Sequence, residues 1–184
     1  MIFRTLLHQL LSRRRSKLHV HDVGRVPMRV LPTDLDILGH MNNGVYFSIM
    51  DLGRFDLMIR SGMWPKLMAK GYYPVMANES ATFRKSLQPW QRFILESRIV
   101  GYDAKAVYVE QRFVVDGEIY ASAMTRGRFL KKGGGTVSMA ELSDLTGIDV
   151  TTMPPPAWID PWVDAVTLPP TRESAPSTWA DERS

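Results

Sequence analysis

From residue 43 the apolar positions Val45, Ile49, Leu52, Phe55 and Ile59 recur every three to four residues, and this spacing predicts one long helix. Tyr46, Met50 and Leu57 widen the stripe almost all round, so such a helix must be wrapped by other structure. Asp56 and Arg60 stand at i and i+4 on its remaining polar side, in the favourable order. Gly62 supplies a stop and Trp64-Pro65 supports it, with a short second helical piece around residues 66–70. Upstream, residues 24–33 read as a strand with Val26, Met28 and Val30 on one face. Downstream the period drops to two, giving candidate strands at 74–87, 92–101, 106–115 and 118–130. Asp116-Gly117 marks a hairpin turn and residues 101–105 mark another. In the third of these strands Val107, Val109, Phe113 and Val115 alternate with Tyr108, Glu110 and Arg112, so one face is buried and the other partly wet. A long apolar helix followed by a meander of strands predicts an α+β fold, one antiparallel sheet curled around that helix.

The two ends follow other patterns. Ile2, Phe3, Leu6, Leu7, Leu10 and Leu11 lie at helical spacing and are followed by Arg13, Arg14 and Arg15, a short amphipathic helix with a basic end. It is too short to span a bilayer, and Arg4 and His8 interrupt it. Neither an export signal nor a cleavage site accompanies it. Two uses fit: weak attachment to an anionic membrane surface or a partner helix, or packing against the body as an ordinary terminus. Gly133 to Gly135 end the sheet, and most of the chain's prolines lie beyond residue 148, a composition that buries little by itself. Trp158 and Trp162 are the candidates for docking there, the rest being mobile. The expected division is a leader (1–22), a body (23–135) and a proline-rich extension (136–184).

At 184 residues, with 45% apolar and 23% charged, the chain suits one domain with a real core. The absence of cysteine excludes disulfides, thiolate metal sites and a Cys nucleophile, and suits the cytoplasm. His19 and His21 have no third ligand nearby, which argues against zinc. The net charge of +4 dissolves on inspection: residues 1–30 hold seven Lys/Arg and one acid, while residues 149–184 hold two Lys/Arg and six acids. The body is nearly neutral and lacks interleaved basic and aromatic residues, so no nucleic-acid partner is expected. No phosphate-binding glycine loop is present either, and no cofactor is expected.

The densest run of polar, geometrically demanding residues is DLDILGHMNNGVYF, residues 34–47, between strand and helix. The first amides of the helix point outward without intrahelical partners and could stabilise an oxyanion, that of Gly44 in particular because no side chain blocks approach. Asp36 and His40 share the turn and could act as base or nucleophile and as polar assistant. Each residue also has a plain use: Asp34 and Asp36 in Asx turns, Asn42 or Asn43 as helix cap, His40 as a structural imidazole.

The run D-x-x-G-H-M-N-N-x-x-Y, here Asp36, Gly39, His40, Met41, Asn42, Asn43 and Tyr46, resembles the start of the central helix in 4-hydroxybenzoyl-CoA thioesterase-like hotdog proteins. The strands from Ala81 to Ala121 resemble the thioesterase superfamily member six-like branch, and the likeness covers about residues 25–131. The resemblance implies a β-helix-β-β-β-β hotdog subunit pairing edge to edge as a homodimer or a dimer of dimers, with sites at the interface. It implies a hydrolase of acyl-CoA or acyl-carrier-protein thioesters, in fatty acid metabolism. The second aspartate of the D-x-D turn, Asp36 here, would attack the thioester or activate a water. His40 and Asn43 would orient substrate or water, and amides near Gly44 would hold the oxyanion. Tyr46 and Met50 would border the acyl chain, and Arg84, Lys85, Arg126 and Arg128 are candidates for the CoA phosphates. Plant acyl-carrier-protein thioesterases resemble the turn as D-x-N-x-H; Leu38 stands here in place of that asparagine. That substitution, with the leader, gives the competing expectation of a non-catalytic acyl-thioester or lipid-binding module, peripheral to a membrane. A hydratase on the same fold would need a second His or Glu that the run does not offer.

Overall fold

A computed structural model describes the backbone of residues 2–177 and the side chains of residues 4–177. The side chains of Ile2 and Phe3 of the leader stripe, and residues 178–184 of the extension, lie outside this description. Along the chain come α1 (Ile2–Ser12), β1 (Gly24–Arg29), α2 (Asn43–Arg60), α3 (Met63–Ala69) and β2 (Tyr72–Phe83). They are followed by β3 (Arg92–Tyr102), β4 (Val107–Val115), β5 (Glu118–Lys131), α4 (Met139–Thr146) and α5 (Ile159–Val166). The strands form one antiparallel sheet in the order β1-β3-β4-β5-β2, which leaves β1 and β2 at its edges. Asp116 and Gly117 both take positive φ in the two-residue turn from β4 to β5, the conformation that the right-handed twist of a hairpin requires.

The sheet wraps α2, whose Tyr46, Ile49, Met50 and Leu52 pack with Val26, Leu95 and Phe113 in one core cluster. A second cluster lies around Leu57, where α3, α4 and the far ends of β3 to β5 meet. Helix and sheet approach most closely at Gly53, where a Cβ would stand 2.5 Å from Ser97 Oγ and 2.6 Å from Leu95 Cδ2. The fully buried Gln111 secures this crossing: its Nε2 donates to the carbonyl of Met50 at 2.9 Å and to Ser97 Oγ at 2.8 Å. Its Oε1 accepts from Arg54 Nη1 at 2.8 Å, so every polar atom of the side chain is used.

Three expectations need correction. Gly62, at φ 74°, ends α2 as predicted, but α3 starts at once, at Met63 rather than near residue 66. Pro65 falls within its first turn, where a missing N–H costs nothing. Beyond the glycines, residues 137–150 are not loose: Ser138 and Glu141 form a capping box, and Val137, Met139 and Leu142 are buried in the second cluster. Further on, the anchor of the extension is Ile159, fully buried against Ala106, Tyr108 and Met124, with Trp162 packed beside it while Trp158 is half exposed.

The leader packs on the body through its polar side. Arg4 Nη1 donates to Asp34 Oδ2 at 2.7 Å, Ser12 Oγ donates to Asp56 Oδ1 at 2.6 Å, and Arg15 Nη1 reaches the same oxygen at 2.6 Å. Asp56 and Arg60 do pair, at 3.0 Å, but both are covered rather than displayed. Between these clamps, burial, assisted by the charges of Arg15 and Arg4 and opposed by Asp56, lowers the pKa of His8 from 6.5 to about 4. The docked state therefore holds His8 neutral, whereas an undocked leader takes up a proton once the pH falls below 6.5. The stability contributed by a neutral, docked His8 is full above that value and declines as pH drops toward 4. Amide hydrogen exchange is expected to show α1 losing protection over that window ahead of α2; equal protection at pH 7 and pH 4.5 would refute it.

Candidate functional site

The turn before α2 is closed by its own polar groups. Asp34, buried, accepts from the amide of Leu31 at 2.9 Å as well as from Arg4, and its carbonyl accepts from the amide of Asn42 at 2.8 Å. Leu35 bridges Met41, and the buried Met41 anchors the far side of the loop in the core. Between them Asp36 donates its amide to the carbonyl of His40 at 2.8 Å, and Gly39 turns the chain at φ 76°. Asp36 Oδ1 accepts from the amides of Leu38 at 2.8 Å and His40 at 3.3 Å. This is the Asx turn that aspartate forms readily, and here it fixes the carboxylate in place. Asp36 Oδ2 has no partner among the described residues. The same holds for the half-buried imidazole of His40 and the exposed side-chain amide of Asn43. Ile37 and Leu38, at the tip, are exposed.

Asn42 caps α2, its Oδ1 accepting from the amide of Gly44 at 2.8 Å, while the amide of Val45 bonds to the Asn42 carbonyl at 2.9 Å. The Gly44 N–H is thus already spent, and the amide left without a partner among the described residues at this helix start is that of Asn43. Tyr46 lies inside the core: its hydroxyl accepts from the amide of Leu87 at 3.3 Å, and its ring meets Phe83 and Phe113 edge-on. Burial raises its pKa, with the Leu87 amide opposing. Arg84 and Lys85 share the exposed Glu118, each at 2.6 Å. Arg126 is not available to a phosphate, since it is buried and turned toward Asp103 and Thr167.

A cavity of about 130 Å³ lies farther along α2, between its second half and the sheet. Its walls are mainly apolar, Met58, Met63, Met76, Val109 and Phe129 among them, and Asp51, Arg54 and Thr125 also face it. Neither Asp36 nor His40 lines it. Arg54, 7% exposed, donates to Asp51 at 2.6 Å and to Thr125 at 3.0 Å. It also lies 2.8 Å from Glu79 Oε1 on β2, an ion pair without the alignment of a hydrogen bond. Burial raises the pKa of Glu79, against the pull of Arg54. One sign of this centre is legible in the sequence, Asp51 and Arg54 at i and i+3 in the middle of a mainly apolar helix. Glu79 carried none, being brought there by the pairing of β2 with β5.

With this geometry in hand, comparison with known proteins shows that the profile of the thioesterase-like superfamily matches residues 30–165. The chain belongs to that superfamily. Among curated relatives, Protein THEM6 of Xenopus laevis is 41% identical over 99 residues, covering 54% of this chain and 48% of that protein. The probable thioesterase YBR096W of Saccharomyces cerevisiae is 31% identical over 121 residues, covering 64% of this chain and 52% of that protein. The superfamily chain described here thus spans about half the length of these relatives. The crystal structure of YbaW, a probable thioesterase from Escherichia coli, superposes with a TM-score of 0.61 at 18% identity, covering 66% of this chain and 94% of that one. The gentisyl-coenzyme A thioesterase BH1999 gives 0.57 at 17% identity, covering 62% and 94%. At such identities the likeness speaks for the fold, and this superfamily member has the hotdog fold. Among its described residues no helix is long and apolar enough to cross a membrane.

Proposed function

We propose that the chain hydrolyses acyl thioesters of coenzyme A or of an acyl carrier protein at the turn formed by residues 36–43. The observation that carries this reading is a carboxylate held by two backbone amides through one oxygen, its other oxygen unspent, six residues before the cap of a buried helix. Asp36 Oδ2 attacks the thioester carbonyl or takes the proton of a water that does so. The carbonyl oxygen gains negative charge and accepts from the free Asn43 amide, where the helix dipole adds to the attraction. His40, its imidazole uncommitted, and the Asn43 side chain orient the water or the substrate. The C–S bond then breaks: when water attacks, the departing thiolate takes back the proton that Asp36 accepted, and when Asp36 attacks, a water hydrolyses the resulting acyl–Asp36 anhydride, releasing the acid and supplying the thiolate's proton.

Tyr46 and Met50 are closed into the core, and the apolar cavity beside Met58 and Phe129 lies toward the other end of α2, so the acyl group bound at this turn rests on surface that a second copy covers. Arg84, Lys85 and the cavity-lining Arg128 are the cations left for a phosphate-bearing carrier. The site is completed by a second copy paired along β2, a twelve-residue edge strand with Tyr73, Met76 and Phe83 exposed. A non-catalytic acyl-binding module is favoured by a different observation: Asp36 Oδ1 and the Gly44 amide both serve the loop itself. Thiol release from short, long and aromatic acyl-CoAs and from acyl carrier protein separates the two readings. Multiple turnover on at least one substrate is expected; ligand-dependent stabilisation without turnover would replace hydrolysis by binding.

A further inference from the structure

The leader helix faces the wrong way for an ordinary surface helix. Residues 4, 8 and 12 fall on one side of α1, and Arg4 and Ser12 of that side, with Arg15 just beyond the helix end, hold Asp34 and Asp56 of the body. Its leucines point outward instead: Leu6, Leu7, Leu10 and Leu11 are 60, 55, 51 and 36% exposed. A helix normally buries its apolar stripe against the core, and a contiguous exposed patch of this kind marks a surface that something else covers.

The charges around the patch indicate what that is. Arg13, Arg14 and Lys17 follow the leucines, are exposed and make no ion pair among the described residues. No acid occurs before Asp22. A second copy laid on this face would bring a patch with no negative charge against itself, whereas an anionic lipid surface answers both its leucines and its cations.

We propose that α1 is an interfacial docking helix for the surface of an anionic phospholipid bilayer, lying in the plane of the headgroups with its leucines inward. The polar clamps make the docking rigid rather than tethered. Arg4 joins α1 to Asp34, and also donates to the carbonyl of Arg29 at 3.0 Å, at the base of the same turn that carries Asp36. Docking thereby sets the orientation of that turn to the bilayer, and the exposed Ile37 and Leu38 at its tip are further apolar groups for the interface. The inference does not depend on the thioesterase reading, since it concerns attachment and not turnover.

The test is flotation of the full chain with phosphatidylcholine vesicles, with and without phosphatidylglycerol, at low and high salt. The wild type is expected to float with the phosphatidylglycerol vesicles at low salt and to be released as salt rises. Leu7→Glu/Leu10→Glu and Arg13→Glu/Arg14→Glu alter exposed positions, and each is expected to weaken partitioning by roughly tenfold or more. Circular dichroism spectra matching the wild type would show that both variants keep the fold. Failure of the wild type to bind phosphatidylglycerol vesicles at low salt would overturn the proposal, as would undiminished binding by the leucine variant. Self-association that Leu7→Glu/Leu10→Glu abolishes, without vesicle binding, would assign the patch to a second copy instead.

Discussion

Asp36→Asn is expected to reduce acyl-thioester turnover by about 10²–10⁴-fold, the range that general acid–base groups contribute, while leaving the folded state unchanged. The two halves of that expectation come from different atoms of one side chain. Asp36 Oδ1 accepts from the amides of Leu38 and His40, and an asparagine carbonyl oxygen accepts equally well there, so the turn keeps its geometry. Oδ2 becomes an NH2 group, which can neither attack a carbonyl nor take a proton from water. Thermal unfolding that coincides with the wild type, together with a collapse in kcat/KM, is the expected pair of results. Equal rates for the two proteins would remove Asp36 from the chemistry. Asp36→Ala is the complementary variant, since it loses the Asx turn as well and is expected to fall in both measurements.

The largest effect on stability is expected at Asp56. Its carboxylate is 1% exposed and receives Ser12 Oγ, Arg15 Nη1 and Arg60 Nη1, joining leader, helix and the residues that follow α1. Asp56→Ala leaves two guanidinium groups and a buried hydroxyl facing one another without an anion. Removing one partner from a buried ion pair costs about 3–5 kcal/mol, most of it the penalty on the charge left behind. Denaturant unfolding should register a loss of that size, and α1 should become sensitive to protease. Asp56→Asn keeps one acceptor oxygen and the volume and is expected to lose less. A change below about 1 kcal/mol on Asp56→Ala, the level of an exposed pair, would mean that Arg15 and Arg60 are satisfied by water and that the clamp contributes little.

The parts of the fold that could be read in advance are those governed by a period. The 3.6-residue stripe of α2, the alternation in β4 and the Asp116-Gly117 turn follow from local geometry that the sequence carries residue by residue. α1 could be placed as a helix but not oriented, because the rule that leucines face the body is reversed by two buried aspartates far along the chain, Asp34 and Asp56. α4 was hidden within a stretch judged by its prolines, although Ser138 and Glu141 already had capping-box spacing.

At the candidate site the residue types in the turn were legible, and so was the alternative that Asn42 caps the helix. The consequence of that cap was not: with Asn42 holding the Gly44 amide, the open donor moves to Asn43. Arg54 and Glu79 meet only because β2 runs beside β5 and the sheet closes over α2, a long-range fact that no window of sequence contains.

The seat of α5 has a consequence for how larger assemblies can be built. Ile159 and Trp162 rest on Ala106, Tyr108 and Met124, so part of the sheet's convex side is upholstered by the protein's own chain. Two such sheets cannot be laid back to back over that region without first peeling this segment away. Growth by lateral extension of the ribbon, strand beside strand, meets no such obstacle there.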